Sequence, residues 1–210
     1  IPYMALINVI EWLDKDHQEI VHKYDTNKNI VKRGSSLTVR EGQTVVFSDN
    51  GRVADVFGPG RYKLETDTIP ILTALMSWAY AFESPFKSDI FFVSTRVFVN
   101  RKWGTATPVI LRDREFGTVR VRGYGTYSFR VADAAVFIKQ LSGALRTFSA
   151  ADIDEYIRSI IVMNLSDALG ECGIPVAGMS AKLVGLSAHV QNSVAPRFKN
   201  FGMELTAFNF

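Results

Sequence analysis

Apolar residues fall in short strand-like runs separated by turn residues from Gln18 to Glu65, and again over roughly residues 89 to 131. After Ala132 they recur at every third or fourth position. Side chains alternate faces along a strand and return to one face about every 3.6 residues along a helix. A chain with that switch builds sheet first and helix afterwards. The early strand-like runs are Glu19 to Tyr24, Ser36 to Arg40 and Gln43 to Phe47, with turns expected at Asp25 to Asn29 and at Glu41-Gly42. Asn50-Gly51, set between two alternating runs, is a hairpin signal, because a type I′ turn requires positive φ at both central positions. Gly58-Pro59-Gly60 marks a second corner.

The later strands are expected at Ile90 to Val93, Arg96 to Val99, Pro108 to Leu111, Gly117 to Val121 and Thr126 to Val131. Ser149, three residues before Asp152, is a capping signal for a helix whose apolar face holds Ile153, Tyr156, Ile157, Ile160, Ile161 and Met163. Gly170 to Pro175 closes it. A last helical stripe, Leu183, Leu186, Val190 and Val194, is interrupted at Pro196, and Gly202 releases a returning strand. Strands, then packed helices, then one C-terminal strand define an α+β fold. Hydrophobic residues make up 47% of the 210, enough for one good core or two small ones. A lone cysteine, Cys172, makes no internal disulfide and fits a reducing compartment.

Two ordered stretches carry a family resemblance. Leu37 to Arg52 followed by Gly58-Pro-Gly-Arg-Tyr62, and later Phe116 to Asp133 followed by Ala134 to Ile138, resemble the stomatin/prohibitin/flotillin (SPFH, band-7) domain. The helix at 150–169 and the strand at 202–205 fall where that family has them, so the resemblance covers residues 30–210. It is most similar to a soluble bacterial branch sometimes labelled virion-core-like. The resemblance implies a non-enzymatic scaffold that self-associates as a homo-oligomer and organises partner proteins. It further implies a peripheral position on the cytoplasmic face of the cell membrane, with a role in membrane stress. The long apolar hairpin that stomatins carry ahead of the domain is absent from the sequence.

Residues 1–3 read as a vector remnant before Met4, residues 4–16 as an N-terminal amphipathic helix, and 17–210 as the domain, excised from a longer protein. Three features are candidate contacts for a membrane or a partner protein. In the N-terminal helix, Leu6, Ile7, Ile10 and Leu13 form an apolar face with Trp12 at its boundary. The competing reading packs that helix on the domain's own sheet. Residues 69–82 form an apolar run that includes Trp78. As a helix it would rise about 21 Å, short of a bilayer's hydrocarbon core of about 30 Å. A buried helix, an oligomer contact and shallow lipid insertion are its three readings.

The third feature is basic. Arg101, Lys102, Arg112, Arg114, Arg120 and Arg122 face only Asp113 and Glu115 within 22 residues, whereas the whole chain carries +3. In Thr118-Val-Arg-Val-Arg122 the alternation sends both valines to one face and both arginines to the other. Such a ladder suits anionic lipid. A solvated face with cross-strand acidic partners is the bland reading. A soluble nucleic-acid-binding module is the alternative function, ranked below lipid or protein because no recognition motif accompanies the arginines.

Catalysis lacks material. Ser187 and His189 stand two apart on a helix and do not face one another. No nucleophile elbow or phosphate loop is present. Three histidines and one cysteine offer little for zinc, and no metal or cofactor is expected.

Overall fold

The computed structural model describes residues 9–25, 34–49, 52–64, 88–144 and 149–210. The chain divides into two compact units, residues 1–95 with 138–148 and residues 96–137 with 149–210. Leu6, Ile7, the turn at 26–29, Asn50-Gly51 and the apolar run with Trp78 lie outside the described residues.

The first unit contains β1 (Val9–Ile10), β2 (Val21–Tyr24), β3 (Ser36–Val39), β4 (Gln43–Asp49), β5 (Arg52–Phe57), β6 (Gly60–Lys63) and β7 (Ser88–Ser94). One sheet has the order β1-β3-β6, with β1 parallel to β3 and β3 antiparallel to β6. The other, β2-β7-β4-β5, is antiparallel throughout. Asp49 pairs with Arg52, a register that leaves two residues for the β4–β5 loop, the length an Asn-Gly turn demands. Leu37, Val39, Val45, Leu64, Ile90 and Phe92 meet in one core. β7 is interior to its sheet and buried on both faces, Ile90 through Val93, which explains why it reads as a continuous apolar run.

The expected N-terminal helix is not what residues 9–16 form. Val9 and Ile10 pair with Ser36 and Leu37 as a strand, and no helix follows them. Ile10 and Trp12, two apart, fall on the inner face and join the core, while Val9 and Leu13 point outward. Trp12 is 5% exposed, its ring stacked on His22 at 5.4 Å, and its carbonyl accepts from Gln43 Nε2 at 3.2 Å. The segment is so uniformly apolar that spacings of two and of three or four both fit it. Pairing with β3 decides in favour of two.

In the second unit β8 (Phe98–Gly104), β9 (Val109–Asp113), β10 (Gly117–Val121) and β11 (Tyr124–Val131) come first. They are followed by α1 (Ala134–Ala144), α2 (Ala150–Glu171), α3 (Val176–Met179), α4 (Leu183–Asn200) and β12 (Met203–Asn209). α1 is shared between the two units. β12-β11-β8 form an antiparallel sheet against which α4 packs, with α2 against α4, and β9–β10 form a separate hairpin beside α2. Ser149 caps α2, its Oγ accepting from the Asp152 amide at 3.1 Å. α2 buries Ile153, Ile157, Ile160, Ile161 and Leu165, each contributing about 2 kcal/mol by burial.

Three details differ from expectation. Met163 lies outside the buried stripe of α2 and is exposed. α4 runs through Pro196 to Asn200, so the proline costs a hydrogen bond without ending the helix. β8 extends five residues past Val99, although Asn100 has a φ of 54° and the β8–β11 register shifts nearby. The architecture as a whole is α+β, antiparallel sheets followed by helices and a C-terminal strand, as the periodicity requires.

Candidate functional site

Strand alternation gives the β9–β10 hairpin two unlike faces. Val109 and Leu111 are each 8% exposed, and α2 packs beside β9. Ile110, between them in sequence, is 66% exposed. On the ladder Arg120 stands opposite Ile110 and Thr118 opposite Arg112, so this outer face is a checkerboard of two arginines, an isoleucine and a threonine. No arginine directly opposes another, which avoids the like-charge pair that destabilises sheets. Arg122 continues the alternation past the end of β10, and Arg114 occupies the loop. All four arginines are exposed.

The loop is held in one shape. Asp113 pairs with Gly117, leaving Arg114, Glu115 and Phe116 between them, and Gly117 takes the left-handed φ of 71° that closes such loops. Asp113 Oδ1 accepts from the amides of Glu115 at 2.8 Å and Phe116 at 3.0 Å. Its Oδ2 accepts from the Val176 amide, at 2.9 Å, where α3 begins. The Val176 amide, then those of Phe116 and Glu115, hold the Asp113 carboxyl below its ordinary value. Phe116, at the end of the loop, is 59% exposed.

The basic cluster read from the sequence separates in space. Arg101 turns to Asp154 of α2 at 3.3 Å and lies over the Phe98 ring at 5.4 Å, which makes it part of the framework. None of the ion pairs among the described residues involves Arg112, Arg114, Arg120 or Arg122. The cross-strand partners of Arg112 and Arg120 are Thr118 and Ile110, so the acidic partners of the competing solvated-face reading do not stand opposite them. Of the N-terminal candidates, Ile10 and Trp12 are core and Leu13 is exposed. Ile110 and Phe116 were not singled out by sequence reasoning. Ile110 had a signal: it stands two positions before Arg112 and shares its face.

The described residues assemble little chemistry. No three His, Cys, Asp or Glu side chains among them converge as metal ligands. A groove of about 290 Å³ between α4 and β12 is lined by Leu183, Val184, Ser187 and Phe210 among others. Ser187 Oγ accepts from the Phe210 amide at 3.3 Å and makes no hydrogen bond with His189, whose Nε2 is buried without a partner among the described residues. Tyr127 is buried against the same framework, and desolvation pushes its phenol far above the ordinary value. No single helix among the described residues is long and apolar enough to cross a membrane.

Comparison with known proteins agrees with the ordered hairpin, corner and helix. Residues 21–210 match the profile of the SPFH domain-Band 7 family. The Bacillus subtilis (strain 168) protein YdjI, described as uncharacterized, is 30% identical over 205 residues. That alignment takes in 97% of this chain and 62% of the relative, so the chain spans under two thirds of the relative's length.

Proposed function

The chain belongs to the SPFH domain-Band 7 family, and from that premise we propose that it is a peripheral scaffold domain working at an anionic membrane surface. Family membership supports the coarse role of a membrane-associated scaffold. The finer reading is that the domain self-associates, recruits a partner protein, sits on the cytoplasmic face and takes part in membrane stress responses without catalysing a reaction. Within the family we place it in the virion-core-like branch.

The observation that carries the reading is the outer face of the β9–β10 hairpin. Four exposed arginines lack ion-pair partners among the described residues, and the ladder sets an exposed isoleucine opposite one of them. Lipid phosphates supply the missing counter-charge, at about 1 kcal/mol per cation near the surface. Nucleic-acid phosphates would do so too, but an aliphatic side chain in the middle of the face has no role on a phosphodiester backbone. Flotation with vesicles of phosphatidylcholine, with and without phosphatidylglycerol, tests the reading. The protein is expected to float with the anionic vesicles and lose that binding as salt rises. Absence from both vesicle fractions would remove the membrane role.

A further inference from the structure

Exposed apolar side chains scattered singly need no explanation. Ile110 and Phe116 are not scattered. One is paired with Arg120 across the ladder, and the other ends the loop that Arg114 begins, between the strands that bear Arg112 and Arg120. The loop is fixed by three hydrogen bonds to Asp113 and by the left-handed Gly117. Its ordering cost is therefore met during folding, which leaves more of any contact energy available for binding. Asp113 also directs its charge onto three backbone amides, and Glu115 is the one acid of the loop whose carboxylate is outside that arrangement.

We propose that this hairpin lies face-down on an anionic bilayer, with Ile110 and Phe116 entering the headgroup boundary and the four arginines gripping lipid phosphates. The inference rests on the membrane reading above and adds to it a specific insertion surface. Arginine stems lie along apolar surface while their guanidinium groups stay at phosphate depth, so aliphatic and cationic residues can share one face. Interfacial elements bury their apolar side about 5–10 Å into the boundary, and exposed apolar side chains are what such an element presents to it. The bilayer is favoured over a protein partner because four clustered cations require a matching field of negative charge, which an anionic leaflet presents in any orientation. The charge serves attraction at long range and the two apolar residues serve retention on contact. The two roles separate experimentally.

The test uses the environment-sensitive fluorophore NBD on single cysteines. Cys172, the chain's one cysteine, is first replaced by Ser, which retains a donor for the Leu169 carbonyl that Sγ now reaches at 3.0 Å. Cysteines then go in at Ile110, at Phe116 and at Met163, an exposed control position on α2. With phosphatidylglycerol-containing vesicles, emission at 110 and 116 is expected to shift to the blue and rise about two- to threefold, while 163 stays constant. The pair Ile110→Ser and Phe116→Ser is expected to weaken vesicle affinity about tenfold without changing its salt dependence. If the protein floats with vesicles while 110 and 116 still report water, the hairpin inference is overturned and the membrane reading stands. If nothing floats, both are overturned. A response at 110 and 116 to single-stranded RNA at low salt, with none to vesicles, overturns the inference in favour of nucleic acid.

Discussion

Both carboxylate oxygens of Asp113 accept from backbone amides, two in its own loop and one at the start of α3. Replacing it with Ala removes both acceptor oxygens, leaving the Glu115 and Phe116 amides to water and the Val176 amide, which is partly buried, without its carboxylate partner. Amide exchange at Glu115, Phe116 and Val176 is expected to quicken at least about tenfold in Asp113→Ala, with the core strands unchanged. Unaltered protection at these three amides would show that the carboxylate does not hold the loop. The lowered value also gives a sign. A carboxyl depressed on folding adds stability above its unfolded value of about 3.9, and that contribution disappears as pH falls through the folded value. The loop therefore loosens under acid and not under mild alkali. Trp12 shows where residue-scale reading fails. An aromatic at the edge of a greasy segment suits a membrane boundary, yet its place two positions after Ile10 puts it in the core instead.

At the scale of elements, legibility followed the amount of pattern available. β9, β10 and α2 each carry several periods of alternation or a cap, and each lies where the sequence puts it. β1 is two residues long, too short for any period, and its identity comes from β3, a contact made 27 residues later. β8 was cut short by its own composition, since Asn-Arg-Lys reads as loop until β11 and the framework pair Arg101–Asp154 claim it. Gly202 was expected to release the last strand, and it is required there. It has a φ of 73°, its carbonyl accepts from Ala132 and Asp133 at 2.9 Å, and a Cβ would collide with the Asp133 carbonyl and the Phe137 amide. Gly202→Ala is expected to cost about 2 kcal/mol or more, from the left-handed backbone and the collision together. The midpoint of urea unfolding reads this out, and a wild-type midpoint would mean the turn can relax.

For the whole molecule, family and fold were legible because they rest on the order of many weak signals along the chain. The candidate site was half legible. The arginines declared themselves by charge and alternation, whereas their lack of partners depends on which strand lies opposite, a matter of register. The apolar run at 69–82 and the residues before Val9 keep their sequence-level readings alone. The proposed scaffold role lies in surfaces, so reversing charge on the proposed surface is the most direct test. Arg112→Glu with Arg120→Glu alters two exposed positions and should leave the fold, judged by circular dichroism, unchanged. Flotation on phosphatidylglycerol-containing vesicles is expected to weaken at least about thirtyfold, at about 1 kcal/mol per charge, and to lose most of its salt dependence. A folded double variant that floats as the wild type does, with the same response to salt, would contradict the account.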